Sequence, residues 1–173
     1  MTAIKEIYDY YACILNFFIF GTLKREETID FNIKAAWHAI ARMYQQQAMK
    51  YGGTMSIGYA LLNIHGEDGT PATKIGPMMG LETRSLTRLL KSMEEKGLIY
   101  RQADKVDKRS VRVMLTKEGK RRKEKARETV LRFNEAVRNE IPPEKLKYFF
   151  EVLQEIGKLI DRNETFEREK ATV

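Results

Sequence analysis

Leu81-Glu-Thr-Arg-Ser-Leu-Thr-Arg-Leu-Leu-Lys-Ser-Met-Glu-Glu-Lys-Gly-Leu-Ile-Tyr-Arg101 and its continuation Gln102-Ala-Asp-Lys-Val-Asp-Lys-Arg-Ser-Val-Arg-Val-Met-Leu-Thr116 decide the fold of this chain. In the first stretch Leu86, Leu89, Leu90 and Met93 recur at i, i+3, i+4 and i+7, so one stripe of a helix is apolar. Arg84, Thr87, Arg88, Lys91 and Glu95 collect on the other face. Glu82 or Thr83 marks the start, Lys96 sets a positive charge at the negative end of the helix dipole, and Gly97 is the stop, because glycine takes the left-handed conformation that closes a last turn. In the second stretch Leu98, Tyr100 and Gln102 alternate with Ile99, Arg101 and Ala103, and on the return Val111, Val113 and Leu115 alternate with Arg112 and Met114. That is the period of two required of strands. Between them Asp104-Lys-Val-Asp-Lys-Arg109 forms a charged tip, in which Asp107 and Arg109 stand two apart and can pair to stiffen the loop.

A basic helix followed at once by a basic hairpin is the layout of a winged helix, and it points to double-stranded DNA. Arg near the N-terminal half of such a helix suits the major groove, where it pairs bidentately with guanine. Arg and Lys at a hairpin tip suit a narrow minor groove, where the potential is most negative. The residues expected to face DNA are Thr83, Arg84, Ser85, Thr87, Arg88 and Lys91 on the helix, and Arg101, Lys105, Asp107, Lys108, Arg109 and Arg112 on the wing. A solvated amphipathic helix and a charged tip that serves only solubility are the bland alternatives. Charge distribution favours the sharper reading. Residues 84–125 hold fifteen Lys and Arg against six Asp and Glu, a net +9 in a chain whose total is +7, so the remainder is slightly acidic. A localised basic block is an electrostatic footprint for phosphate. The block has no row of Trp, Phe or Leu to enter lipid, which argues against a membrane surface.

These residues resemble the MarR family of bacterial winged-helix transcription regulators. The likeness is carried by Leu81, Leu86-Thr87-Arg88-Leu89, Met93-Glu-Glu-Lys-Gly-Leu-Ile99 and Arg101, then by Asp107-Lys108-Arg109 and Leu115-Thr116 with Gly119. It spans roughly residues 30–160 and is strongest over 75–120. One departure stands out. Where the family reads like Leu-Ala-x-x-Leu-Gly, this chain has Ile75-Gly76-Pro77-Met78-Met79-Gly80. Pro is tolerated in the first turn of a helix, so the helix before the reading helix is expected to be short or to start late. The resemblance implies a mostly α winged helix-turn-helix with a two-stranded β-wing, whose N- and C-terminal helices interlock two chains as a homodimer. It further implies a sequence-specific regulator, acting as a repressor on a pseudo-palindromic operator, that is released by a small aromatic effector. Trp37, Tyr44 and Tyr59 are candidates to line the effector's cavity, or are simply core. Some members sense peroxides through a cysteine in the first helix. Here Cys13 is flanked by Tyr10, Tyr11, Ala12, Ile14 and Leu15, with no cation to favour the thiolate, so it reads as a buried structural thiol.

Outward from the centre the chain is helix-rich. Residues 3–20 carry Ile4, Ile7, Tyr8, Tyr11, Leu15 and Phe18 on one stripe. A longer helix carries Ile33, Trp37, Ile40, Tyr44 and Ala48 and stops at Gly52-Gly53, and Ser56–His65 reads as a buried helix. Gly66 to Pro71 is a turn leading into a short strand. Thr116 caps a long helix with Ala126, Val130, Phe133, Val137 and Ile141 on one side and charged first turns expected near the wing, outside the core. Ile141-Pro142-Pro143 ends it, and a last helix carries Leu146, Phe149, Phe150, Leu153, Ile156 and Ile160. The expected organisation is therefore 1–50 as N-terminal dimerisation helices, 51–116 as the DNA-binding region, 117–162 as C-terminal dimerisation helices and 163–173 as a flexible tail. A long helix with one narrow apolar stripe buries it against another helix. A two-fold pair would set the reading helices about 34–36 Å apart, one DNA turn. One larger monomeric core is the alternative.

The exclusions are as useful. One cysteine and two histidines, His38 and His65, leave no disulfide framework and argue against a metal site. No Gly-rich phosphate loop or His-based triad is present, and Glu26-Glu27 and Glu94-Glu95 are adjacent carboxylates that do not face each other on a helix, so no enzyme and no cofactor are expected. The apolar run Ile14–Phe20 falls short of the ~18 residues that span a bilayer, and no signal-peptide pattern precedes it, so the chain is read as cytoplasmic. A winged helix that binds an acidic protein rather than an operator remains the second functional reading.

Overall fold

The stop at Gly97 shows how closely local chemistry governs the architecture. In the computed structural model, which describes residues 23–65, 67–104 and 110–162, Gly97 has φ 66°. The Gly97 amide donates to the Glu94 carbonyl at 2.9 Å and the Leu98 amide to the Met93 carbonyl at 2.9 Å. These two bonds satisfy the orphan carbonyls of the preceding helix and turn the chain straight into a strand.

A 3₁₀ turn, Arg25–Glu27, precedes α1 (Ile29–Met49) and α2 (Met55–Asn63). Then come β1 (Thr70–Pro71), α3 (Ala72–Met79), α4 (Thr83–Glu95), β2 (Ile99–Ala103), β3 (Val111–Leu115), α5 (Lys117–Glu140) and α6 (Pro143–Asp161). The wing hairpin pairs antiparallel from Ile99↔Leu115 to Ala103↔Val111, in the register expected from the alternation. To these two strands the structure adds a third: β1 pairs with β3 through Thr70↔Val113, so the sheet runs β1-β3-β2. The turn before Pro71 thus does lead a strand, only two residues long.

The core lies where α2, α3 and α4 meet this sheet. Leu61, Ile64, Ile75, Met93 and Val113 are almost fully buried there, with Leu86, Leu90, Leu98, Ile99 and Leu115 around them. Burying each such side chain contributes about 1.5–3 kcal/mol. Thr70 is the one buried polar residue in that region among the described ones; its hydroxyl accepts from the His65 amide at 2.9 Å and donates to the Asn63 carbonyl at 3.2 Å.

Two expectations change. Pro77 is the sixth residue of the eight-residue α3, not a first-turn residue. Its missing amide and its ring oppose the Thr73 carbonyl, and both residues are exposed, so water can take the orphan acceptor. The helix then ends at once: Gly80, at φ 62°, and Leu81 close it on the Pro77 and Gly76 carbonyls. The helix is short because its stop lies three residues beyond the proline. The charged first turns of α5 are also less peripheral than expected. Gly119 is buried against the Leu98 carbonyl just before β2, Arg122 and Lys123 are half-buried, and α5 packs along α2.

α1 and α6 stand apart. α1 buries no residue, and its expected stripe divides: Ile33 and Trp37 face outward, Trp37 being 46% exposed, whereas Ile40, Tyr44 and Ala48 are half-buried. α6 buries only Leu146, leaves Phe149 54% exposed, and touches the rest of the described chain little. The N-terminal stripe of residues 3–20, Cys13, the wing-tip residues Lys105, Asp107, Lys108 and Arg109, and the tail from 163 lie outside the described residues. No described helix is long and apolar enough to cross a membrane.

Candidate nucleic-acid interface and the cavity behind it

α4 presents the expected face. Thr83, Arg84, Ser85, Thr87, Arg88 and Lys91 are all exposed, while Leu86, Leu90 and Met93 hold the opposite side in the core. No side chain caps the helix at Glu82. The Thr87 hydroxyl donates back to the Thr83 carbonyl at 2.8 Å, and Lys91 lies 3.9 Å from Glu95 in a solvated pair worth little on its own. Arg84 and Arg88 form no hydrogen bond or ion pair with any described residue.

That freedom is the exception within the basic block. Arg101 pairs with Glu94 at 3.2 Å, Lys120 with Glu67 at 2.9 Å and Lys125 with Glu128 at 2.9 Å. Arg121 and Arg122 both donate to Glu118, and Lys123 caps α2 through the Ile64 carbonyl at 2.6 Å. Two hydrogen-bonded guanidinium groups hold the Glu118 carboxyl down to about 2. Among the described cations from 84 to 125, only Arg84, Arg88, Lys96 and Lys117 lack a partner among the described residues. Much of the charge along α5 is therefore engaged in ion pairs on the chain's own surface, and the unpaired positive charge is narrower than the composition suggests.

Arg112, read from the sequence as a wing residue facing DNA, is turned inward. Nη1 meets Asp104 at 2.8 Å, Nε donates to the Asp68 carbonyl at 2.6 Å and Nη2 to the Gly69 carbonyl at 3.1 Å. One guanidinium thus ties the turn before β1 to the base of the hairpin, where the Asp104 amide donates to the Ser110 carbonyl at 2.9 Å. Arg112→Ala is expected to cost about 2 kcal/mol in denaturant unfolding, because partly buried acceptors lose a charged donor. Hydrogen exchange at the Asp104 amide should accelerate with it; unchanged exchange would show that the hairpin holds its base without Arg112.

Thr116 and Gly119 join the wing to both helices beside it. The Thr116 hydroxyl donates to the Gly97 carbonyl at 2.6 Å and accepts from the Gly119 amide at 3.0 Å, and the Thr116 amide donates to the Leu98 carbonyl at 3.1 Å. Gly119 sits where any Cβ would overlap the Leu98 carbonyl oxygen. The Leu-Thr-x-x-Gly pattern is thereby explained: threonine caps α5, and glycine lets it approach the backbone that follows the reading helix.

Behind α4 lies a mainly apolar cavity of about 310 Å³ between α1, α2 and α5. Tyr44 and Tyr59 line it and Trp37 does not; Trp37 lies almost two turns earlier on α1, on the outward face. Tyr44 packs edge-on to Phe133 at 5.7 Å, and burial, with Tyr59 nearby as a second cause, pushes its hydroxyl pKa up. Sequence reasoning missed Tyr51, Lys96, Leu98, Arg122 and Lys125 at the same cavity. The Gly52-Gly53 stop was the available signal for Tyr51, because a reversal there returns the end of α1 against α5. Among the described residues no cluster of His, Cys, Asp or Glu is arranged to hold a metal.

A three-helix core, a reading helix with free arginines and a hairpin beside it define a winged-helix protein. The MarR family model matches residues 54–111. The chain is 33% identical over 107 residues to the organic hydroperoxide resistance transcriptional regulator of Bacillus subtilis (strain 168), covering 62% of this chain and 73% of that protein. Its fold is that of the S. aureus MepR–DNA complex (TM-score 0.70, 20% identity, 76% of this chain and 97% of that one). It is also that of CouR from Rhodococcus jostii RHA1 bound to p-coumaroyl-CoA (TM-score 0.66, 19% identity, 78% and 95%). The chain belongs to the MarR family of transcriptional regulators.

Proposed function

We propose that this chain is a dimeric, sequence-specific DNA-binding transcription regulator of the cytoplasm. In this reading α4 enters the major groove and the hairpin lies at the minor groove. The observation that carries it is the pair Arg84 and Arg88, exposed on one face of α4 and unpaired among the described residues, while most of the surrounding cations are committed to internal partners. A guanidinium without a partner on the exposed face of a helix is matched in its donor pattern to the guanine edge. The N- and C-terminal regions, 1–50 and 117–162, supply the dimer contact, consistent with the outward apolar faces of α1 and α6. The cavity behind α4 suits a small, mainly apolar effector with an aromatic ring, for which Tyr44 and Tyr59 offer edges and hydroxyls. Such a ligand shifts DNA affinity only by binding one arrangement of the helices better than the other. The wing tip, with Lys105, Asp107, Lys108 and Arg109, belongs to the same reading on the strength of its sequence.

Selection of bound duplexes from a random pool by the purified protein tests this reading directly. The expected product is a two-fold symmetric consensus. Against that consensus, Arg84→Ala or Arg88→Ala should lose about 1–3 kcal/mol of discrimination over random DNA. Equal weakening on both DNAs would assign the two arginines to phosphate alone. A pool that returns no consensus at moderate salt would favour an acidic protein as the partner instead.

A further inference from the structure

The polar contacts at the mouth of the cavity connect elements that the hydrophobic core leaves separate. Tyr51 lies just past the end of α1, in a turn whose own bonds run from Gly52 to the Met49 carbonyl and from Gly53 to the Ala48 carbonyl. The Tyr51 carbonyl is left over, and Arg122 of α5 takes it: Nη1 donates to that oxygen while Nε donates to Glu118 at 2.8 Å. Glu118 stands in the first turn of α5, two residues after Thr116, whose hydroxyl donates to the carbonyl of Gly97 at the end of α4. A continuous run of short polar contacts and one helical turn therefore links the end of α1 to the end of the reading helix. Tyr51, Glu118, Arg122 and Leu98 all lie in the wall of one cavity, so apolar packing does not fix the spacing at this point.

We propose that Arg122 is a positioning residue that holds α4 at a set distance and tilt from α1, and so fixes the half-site spacing a pair of chains accepts. This rests on the DNA-reading dimer proposed above. Arginine is suited to the task because its planar fork holds two acceptors in one geometry, which the single ammonium of lysine does not. Nothing else in the bridge needs Arg122 for charge balance. Arg121 donates to both Glu118 oxygens, at 2.7 and 2.6 Å, so Glu118 remains paired when Arg122 is removed. The part of Arg122 that is unique is its reach to α1.

The experiment uses the full chain and its own selected consensus, together with duplexes in which the two half-sites are moved one or two base pairs closer or farther apart. The wild-type protein is expected to prefer its own spacing by about tenfold or more, the size of an ordinary coupling between two sites. Arg122→Met should bind all spacings within about twofold of one another, with Arg122→Lys intermediate, and Arg121→Met should keep the wild-type preference. Thermal unfolding of the same variants separates a loss of spacing preference from a loss of fold, because a merely structural role lowers affinity alike on every spacing. A sharp wild-type preference that Arg122→Met retains, or a uniform loss across spacings, overturns the inference and leaves the DNA-reading function standing. A wild-type protein that selects no symmetric site overturns both.

Discussion

Gly119→Ala is expected to lower the unfolding midpoint by roughly 5–10 °C at fixed protein concentration. Alanine is the better helix former by about 1 kcal/mol, so an effect of this sign must come from space. An ideal Cβ at Gly119 overlaps the Leu98 carbonyl oxygen and stands 3.0 Å from its carbon. That carbonyl cannot yield cheaply, because it accepts the Thr116 amide at 3.1 Å. It also follows directly on the two bonds that end α4. Overpacking of this kind costs about 1–3 kcal/mol and occasionally more, and backbone rather than a flexible side chain must move. Gly58→Ala in α2 is the contrast. Its Cβ would meet only the Ala126 methyl, at 3.8 Å, an ordinary contact. There the helix-propensity gain should dominate and raise the midpoint by a few degrees. The two substitutions are chemically identical, so opposite signs isolate the close approach. If Gly119→Ala left both stability and operator affinity unchanged, the wing would not be seated through Leu98.

The reading helix and hairpin were legible in the sequence because their information is local. The period of Leu86, Leu90 and Met93, the glycine at 97 and the alternation from Ile99 to Leu115 each act within a few residues of themselves, and the observed elements follow them. The helix that carries Pro77 is short, as one of the two expected outcomes had it, but the proline sits near its end and not in its first turn, because a rule about helix interiors takes no account of how soon the helix stops. The roles of Arg112 and Arg122 were illegible for another reason. Each is one more arginine in a basic block until the fold brings Asp68 and Gly69, or Tyr51, against it from 43 to 71 residues away. A count of charges therefore located the surface and overstated how much of it is free. Trp37 was legible only as an aromatic on a helical stripe; in the single chain it lies outside the cavity that Tyr44 and Tyr59 line, and its 46% exposure sets it on a face that one chain leaves uncovered.

Phe149→Asp combined with Phe150→Asp is expected to produce a monomer and to weaken operator binding by about 100-fold or more. In the single chain the two rings lie 5.6 Å apart, 54% and 44% exposed. Tyr148, Val152, Leu159 and Ile160 are exposed along the same helix, as are Ile29, Ile33 and Trp37 along α1. Large apolar surface left uncovered on this scale marks an interaction site. Membership of the MarR family, whose regulators are dimers, makes a second copy of the chain the occupant. Two aspartates in that contact would each have to lose water without a partner, which the association cannot offset. The effect on DNA is larger than the loss of one reading helix, because joining two modest contacts raises avidity by about 10²–10⁴-fold and a monomer forfeits all of it. Sedimentation equilibrium reads the assembly state, and mobility-shift titration reads the affinity. The same titration on random DNA should change much less, since that binding follows the free cations and the salt concentration. The folded lobe should survive, because neither phenylalanine belongs to the core built from α2, α3, α4 and the sheet. A double variant that stays dimeric with undiminished operator affinity would place the dimer contact elsewhere on the chain.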